Sequence, residues 1–511
     1  MPAPADLVLT NAEVHTLTDA DAEYEAVAVR DGRIVRVADA YEVEFLVGVE
    51  TVVVDCEGRV VLPGFVDAHT HLEMVGQHLV HADLRDVDSP AEAVDRLQAR
   101  ADETDDEFVL GYGYDESTWT DARYLTRDDL DAVAEDRPVV AFREDMHTAS
   151  LNSAALDRFR EDMPAADVER ADGEPTGVVV EAAVDPLFAA TEPDYAEARD
   201  LVVAAQERAN ELGVTGVHDM CRNSHKPRVF RELDSEGELT LRTRINYWTD
   251  HLESVVDTGL RTGHGSDMVR TGAIKTYTDG SFGGRTAKLR EPYADAPDGE
   301  TDGKWVVDPD ALREQVETAH DAGLQFTAHA IGDAAVEGVL DVFADYDAGD
   351  ARHRVEHAEL LTGDLVERFA AVGAVASVQP NFLKWAREGG LYDARLGERR
   401  REVMPFADLL DAGVPLAFGS DCMPLDPLFG VQQAVTAPEE RQRLSVTEAL
   451  RAYTLGGAYA AAEETDLGTV EPGKRADLVV LDESPWAVAP ESIADVDVSL
   501  TVVDGRVVHR D

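Results

Sequence analysis

The length, composition and charge of this chain exclude several classes of protein. At 511 residues it is too long for one small core, and it has no run of about 20 apolar residues that would predict a transmembrane helix. Its 103 acidic residues outnumber 46 basic ones and are spread along the whole length, so the surface should repel nucleic acid and anionic membranes.

The acidic excess comes with very little lysine, a balance that resembles proteins of salt-in halophilic archaea. The chain has three cysteines, an odd number at distant positions, so no disulfide framework is predicted. The N-terminal residues show neither a basic region nor an apolar signal core, and we therefore expect a cytoplasmic protein. The cysteines are Cys56, Cys221 and Cys422.

Both ends of the chain consist of short β-type runs separated by turns. Asp31-Gly32 and Glu57-Gly58 are hairpin-type turn signals near the N-terminus, and Asp504-Gly505 is one near the C-terminus. These patterns predict a small β-sandwich built from residues 1–62 and 466–511.

Residues 63–465 alternate short apolar strands with alanine-rich amphipathic segments. Eight such units predict an α/β fold, a TIM-type (β/α)8 barrel, whose active sites gather at the C-terminal ends of the strands. The eight predicted strands are Gly64–His71, Thr215–Met220, Arg242–Trp248, Gly272–Thr278, Gln325–Ile331, His353–Glu359, Ala374–Pro380 and Pro415–Asp421.

One further strand, Pro138–Arg143, falls inside a long segment between the first and second barrel strands. We interpret residues 74–205 as an inserted subdomain that covers the mouth of the barrel. Aromatic residues and a histidine are concentrated in Gly111–Trp119 and Asp145–Leu156. These two stretches would form either a lid over a substrate or the small core of the insertion.

The first barrel strand ends in His69, Thr70 and His71. Side chains at positions i and i+2 of a strand point to the same face, so both imidazoles aim at one place. Two converging neutral imidazoles suit a divalent transition metal such as zinc, although a pair of structural histidines fits the bare motif as well.

Four further ligand-type residues stand late in other predicted strands. His329 and His357 each also fit a core histidine, and Asp421 also fits a turn cap. Lys275 lies in an apolar strand, where burial lowers the pKa of an amine and lets it react with carbon dioxide to give a carbamate, an anionic metal ligand. The alternative for Lys275 is a buried ion pair with Asp279.

The series of motifs along the chain resembles the amidohydrolase superfamily, in the branch that contains N-substituted formamide deformylases and AepA-like proteins. The resemblance rests on PGFVDAHTH, GYGYDESTW, GVTGVHDM, IKTYTDGSFGGRTA, FTAHAIGD, RVEHAEL, FGSDCMP and EPGKRADLVVLD. Two positions depart from the pattern and leave the substrate open: Cys422 stands where tryptophan is expected, and Met146 where glycine is common.

The resemblance implies a pair of divalent metal ions, with zinc expected. His69 and His71 would hold the first ion and His329 with His357 the second. Lys275, as a carbamate, would bridge them. Asp421 would bind the first ion and act as the general base.

The implied reaction is hydrolysis of a non-peptide carbon–nitrogen bond by a metal-activated water. The substrate would be a small amide, such as an N-substituted formamide or a cyclic amide. We expect no nucleic-acid partner and no membrane partner. A homodimer is one expected oligomeric state. Two alternatives remain, namely a mononuclear deaminase-type hydrolase with unmodified lysine and a non-catalytic metal-binding regulator. Candidates for orienting the substrate are His147, Asp279, Arg285 and Gln379.

Overall fold

The computed structural model describes residues 3–144, 146–296 and 301–511. It separates into two compact units, of which one is the continuous segment Leu72–Ala205 and the other combines the chain up to His71 with Gln206–Asp511. Across these described ranges, every helix is too short or too polar to cross a membrane. The barrel and the sheets built by the two chain ends belong to the second of these units.

Eight parallel strands form a nearly closed barrel in which each strand pairs with the next one along the chain. The eight predicted strands are all observed, so the predicted barrel is confirmed. Nearly every strand residue is buried because the lumen covers one face and helices the other. In order, the strands are Phe65–Thr70, Val214–Cys221, Arg242–Trp248, Val269–Tyr277, Gln325–Ala330, Arg354–His357, Val375–Val378 and Leu416–Phe418.

The helices between these strands follow from local sequence signals. Pro309–Asp321 shows the pattern: the Asp308 side chain accepts hydrogen bonds from the first turn and the helix buries Leu312, Val316 and Ala319, at helical spacing, on one face. The α-helices of this unit after the second strand are Lys226–Glu236, Leu252–Asp257, Pro309–Asp321, Asp333–Phe343, Ala348–Ala351, Gly363–Val372, Leu391–Leu396, Phe406–Asp411, Pro427–Val435, Val446–Arg451 and Gly457–Ala460.

The two chain ends build a pair of sheets with a shared apolar core, as predicted. Val27, Val61, Leu478 and Val502 all belong to this core, so residues from both ends pack together. One sheet contains, in order of pairing, Arg33–Ala38, Ala26–Arg30, Leu7–Thr10 and Val52–Asp55, and Ala40–Glu44 is a short helix beside it. The other contains Arg506–Arg510, Val498–Val503, Leu478–Leu481, Val60–Pro63, Glu13–His15 and Glu23–Tyr24.

Two of the three predicted hairpin turns are confirmed. Asp31-Gly32 and Asp504-Gly505 each join antiparallel neighbours with both turn residues at positive φ. The hairpin expected at Glu57-Gly58 is wrong, because the strands on either side of that turn lie in different sheets. The local turn geometry is present there as well, with φ values of 57° and 85°, but sheet membership depends on distant partners.

The unit Leu72–Ala205 contains a six-stranded sheet of its own, and the extra strand predicted at Pro138–Arg143 is one of its members. Tyr112, Tyr114 and Trp119 are buried in the two apolar cores that flank this sheet. The sheet order is Val168–Ala171, Glu174–Val180, Thr148–Leu151, Val139–Arg143, Val109–Tyr114 and Ala82–Asp83. Asp145 lies outside the described residues. The helices are Leu72–Val80, Pro90–Glu103, Arg127–Asp131, Ser153–Phe159, Asp185–Ala190 and the start of Tyr195–Glu211.

Candidate metal centre

Two histidines of the first barrel strand meet one carboxylate from the loop after the eighth. Asp421 Oδ1 lies 3.2 Å from His71 Nε2 and 3.5 Å from His69 Nε2. One ligand atom from each of the three residues lies within 4.8 Å of the others. His69 is buried, whereas His71 and Asp421 remain 22% and 19% exposed at the side chain. The cluster is therefore partly accessible to solvent.

The backbone at the junction of the first and eighth strands holds this cluster together. The Asp421 N–H donates to His69 O at 2.7 Å. Asp67 Oδ1 accepts hydrogen bonds from the backbone N–H groups of His69 and Ser420, both at 3.0 Å. A Cβ atom at Gly419 would lie 2.5 Å from His69 N, so only glycine permits this close approach.

Lys275, His329 and His357 are buried close to the same cluster. The ring centroid of His357 lies 4.9 Å from that of His69 and 4.5 Å from that of His329. Lys275 Nζ, His329 Nδ1 and His357 Nδ1 are all buried without a hydrogen-bond partner among the described residues. Burial lowers the pKa of Lys275 to about 8. The alternative ion pair between Lys275 and Asp279 is not formed.

These groups fit a divalent transition metal. Imidazole nitrogen and carboxylate oxygen are suitable ligands, and buried polar atoms without partners are otherwise costly in a folded protein. His69 Nε2, His71 and Asp421 would hold one ion. The unpartnered atoms of Lys275, His329 and His357 would hold a second, as the sequence predicts, and this assignment stays a prediction.

The charge states favour metal binding at neutral pH. Burial lowers the pKa of His69 and of His329, and it lowers the pKa of His357 to about 3, so these imidazoles are neutral. Burial alone would raise the pKa of Asp421, but its neighbours, among them His71 through a hydrogen bond, hold that pKa below its usual range. The carboxylate is therefore ionised.

Glu356, which the sequence reasoning missed, fixes the orientation of His69. Its Oε2 atom lies 2.6 Å from His69 Nδ1, which leaves Nε2 of that ring as the atom available to a ligand. Burial opposes ionisation of Glu356, but Arg354 and His69 hold its pKa well below the usual value. Arg354 Nε donates to Glu356 Oε1 at 2.8 Å and its Nη1 lies 2.7 Å from His218 Nδ1.

A signal for this pair is present in the sequence. Arg354 and Glu356 are two residues apart in the strand that ends at His357, so their side chains share one face. Two opposite charges that alternate in a strand predicted to belong to the barrel indicate an ion pair, and its position directly before a proposed ligand indicates the site.

The candidates for orienting the substrate have different surroundings. Asp279 is buried and accepts hydrogen bonds from the backbone N–H groups of Lys288, Ile331 and Gly332, and burial raises its pKa to about 7. Its Oδ1 atom also lies 3.4 Å from His329 Nε2. Asp279 thus anchors the loop beside a proposed ligand, and its contact with substrate stays a prediction.

Arg285 and His147 are more exposed. Arg285 donates two hydrogen bonds to Asp295, at 3.1 and 2.8 Å, so its guanidinium is already paired. His147 belongs to the Leu72–Ala205 unit, where its side chain is 72% exposed and lies 3.6 Å from Glu181. For both residues the role in substrate binding stays a prediction.

Known proteins resemble this chain over almost its full length. The model of the amidohydrolase family matches residues 52–509. A putative amidohydrolase of Bacillus subtilis, YtcJ, is 31% identical over 97% of this chain and 98% of its own length. An N-substituted formamide deformylase of Arthrobacter pascens is 28% identical over 98% and 97%. A crystal structure of an uncharacterized metal-dependent hydrolase from Pyrococcus furiosus superposes with a TM-score of 0.80 at 30% identity, covering 94% of this chain and 99% of the other.

Proposed function

This chain belongs to the amidohydrolase family, and on that basis we propose that it hydrolyses a non-peptide carbon–nitrogen bond in a small amide. A metal-dependent amidohydrolase is the class that the family and its structural neighbour support. The deformylase relative acts, by its name, on N-substituted formamides, and this supports an amide as the substrate class.

One observation carries the proposal. His69, His71 and Asp421 converge from opposite edges of the barrel sheet, and three further buried nitrogens around them have no hydrogen-bond partner in the part of the chain that the structure describes. Those nitrogens belong to Lys275 and two histidines. A purely structural cluster would pair these atoms with one another, because an unpaired buried polar group is costly.

A divalent metal, for which we propose zinc, would supply a water of lowered pKa and polarise the scissile carbonyl when bound. The residues of the chain do the rest. The ionised Asp421 carboxylate accepts the proton of the attacking water and delivers it to the departing nitrogen. Glu356 keeps the His69 ring in one orientation, so that Asp421 faces Nε2 of that ring.

The test is to measure metal content per chain and to screen the zinc-loaded protein against N-formyl, N-acyl and cyclic amides. We expect two equivalents of metal and release of an amine from at least one amide. One equivalent with release of ammonia would favour the deaminase-type alternative. Retained metal without any turnover across the panel would contradict the proposal and favour a regulatory, metal-binding protein.

A further inference from the structure

We infer that Gln379 forms hydrogen bonds with both the C=O and the N–H of the substrate's amide group. It thereby selects amides in which these two groups lie on the same side. Such groups occur in lactams, cyclic imides and cyclic ureas. The inference rests on the proposed function for the presence of an amide substrate. It adds the geometry of that amide and the residue that recognises it.

Gln379 lies at the active end of the barrel, between two strands that carry proposed ligands. It directly follows the seventh strand, which pairs with the strand ending at His357 and with the strand that precedes Asp421. Its backbone remains extended, with φ −116° and ψ 94°, so the alternation of side chains continues through it.

The alternation points the Gln379 side chain into the lumen. Two residues earlier, Ser377 Oγ accepts a hydrogen bond from the buried Arg354 at 2.9 Å, and Arg354 also contacts Glu356 of the same network. Ser377 therefore faces the lumen, and Gln379 faces the same way one step closer to the C-terminal end. Ligands of (β/α)8 barrels bind at that end.

The amide of Gln379 is buried without a partner. The residue is 1% exposed, and neither Oε1 nor Nε2 has a hydrogen-bond partner among the described residues. The amide of another buried glutamine, Gln206, is satisfied: it donates to Glu238 O and accepts from Thr240 N. An amide held in the lumen with both functions free is suited to bind a ligand that has both an acceptor and a donor.

The geometry of a carboxamide defines that ligand. Oε1 and one N–H of Nε2 lie on the same edge of the planar group, so they pair simultaneously only with a C=O and an N–H that also share an edge. A cyclic or cis amide meets this condition. A trans amide directs its N–H away from its C=O and leaves one buried function of Gln379 without a partner, which weakens binding.

The experiment measures binding and hydrolysis separately, on the zinc-loaded full chain. The probes are glutarimide, N-methylglutarimide, which lacks the N–H, and N-ethylpropanamide, an open-chain trans amide. We expect the wild type to bind glutarimide more tightly than the other two by about 5- to 150-fold, the range for leaving a buried polar group unpaired. Gln379→Leu should abolish this preference. Gln379→Glu, which loses the donor but keeps an acceptor, should reduce it.

Gln206→Leu is the matched control. It removes a buried glutamine with both functions satisfied, so it should lower the Tm while leaving the preference for glutarimide intact. Gln379→Leu should leave the Tm unchanged or raise it, since no hydrogen bond to another described residue is lost. A fall in Tm as large as that of Gln206→Leu would indicate a structural role and overturn the inference.

The remaining outcomes separate the two proposals. Equal binding of the three probes by the wild type, no binding of any probe, or an unchanged preference in Gln379→Leu would each overturn the inference about Gln379. Binding that depends on Gln379 without hydrolysis of any amide would support the inference and contradict the proposed function. Hydrolysis of open-chain amides at a rate that does not change in Gln379→Leu would support the proposed function and contradict the inference about Gln379.

Discussion

Glu356 Oε2 lies 2.6 Å from Nδ1 of His69, and both side chains are buried. The two residues come from the sixth and first strands, which the seventh and eighth strands separate in the barrel. The carboxylate binds the Nδ1 atom of the ring and leaves Nε2 directed to Asp421. A glutamate 287 residues away in sequence thus determines which atom of His69 is available to a metal.

Replacing Glu356 should therefore weaken metal binding without removing a ligand. We expect Glu356→Gln to reduce zinc affinity by about 10- to 100-fold, as is usual when the partner of a ligating histidine is lost. Competition with a chromophoric chelator measures the affinity. Glu463→Gln is the control, because Glu463 pairs with buried Arg244 and with Arg270 but not with the cluster. Equal zinc affinity in both variants would contradict the orienting role of Glu356.

Lys275 should carry the carbamate and Lys226 should not. Both lysines are buried, but Lys226 Nζ lies 2.9 Å from Asp219 Oδ2, whereas Lys275 Nζ has no hydrogen-bond partner among the described residues. We expect a carbamate signal in ¹³C NMR spectra of metal-loaded protein equilibrated with ¹³C-bicarbonate. Lys275→Ala should abolish it together with nearly all activity, which short carboxylates should partly restore, and Lys226→Ala should retain the signal.

An unmodified Lys275 in a crystal structure of the metal-loaded protein would contradict the carbamate. So would a ¹³C signal that survives Lys275→Ala.

The sequence predicts the barrel and the convergence of the proposed ligands because both follow from local patterns. Most barrel strands are short β-type runs followed by an amphipathic segment, and the C-terminal ends of such strands meet at one end of a barrel. For the same reason His69, His71 and Asp421 could be placed together. The resemblance to the branch with formamide deformylases and AepA-like proteins is confirmed by relatives that match most of the chain.

What the sequence did not predict depends on distant contacts. Glu356 meets His69 only because the barrel closes, and no local pattern indicates that these two side chains, 287 residues apart, come into contact. Glu57-Gly58 has the backbone of a hairpin turn, yet it joins two sheets because Val60–Pro63 pairs with Leu478–Leu481 from the other end of the chain. The pairing of Arg285 with Asp295 likewise lies in a loop whose course is not encoded by periodicity.

Salt should stabilise the protein. The formal net charge is −57, and at low ionic strength the dispersed carboxylates repel one another. At 1 M salt the Debye length falls to about 3 Å and the repulsion is screened. We expect the Tm to rise steeply with KCl concentration, as measured by differential scanning calorimetry. A flat response between low and molar salt would contradict the halophilic interpretation.

His353 should make stability depend on pH. Burial lowers its pKa to about 3 from an ordinary value of 6.5, and its Nδ1 accepts a hydrogen bond from Phe326 N. Between pH 6.5 and about pH 3, His353 therefore takes up a proton in the unfolded chain but not in the folded protein. The stabilising contribution is complete above pH 6.5 and is lost as the pH falls toward 3, by up to about 1.4 kcal/mol per pH unit.

His353→Gln keeps an acceptor but cannot titrate. Between pH 6.5 and 4.5 its free energy of unfolding should therefore fall less steeply than that of the wild type, and the two slopes should differ on the order of 1 kcal/mol per pH unit. Urea titrations at a series of pH values measure the two slopes. Parallel curves for the two proteins would exclude His353 as the source.

The most direct test is the steady-state activity of Asp421→Asn together with its metal content. Asparagine keeps the shape and one ligand oxygen but cannot accept the proton, so we expect kcat/KM to fall on the order of 10² to 10⁴-fold, with only a modest loss of metal. Asp426→Asn is the control in the same loop, since Asp426 caps the helix Pro427–Val435 and asparagine caps equally well. If Asp421→Asn retained more than about a third of wild-type activity, Asp421 would not be the general base.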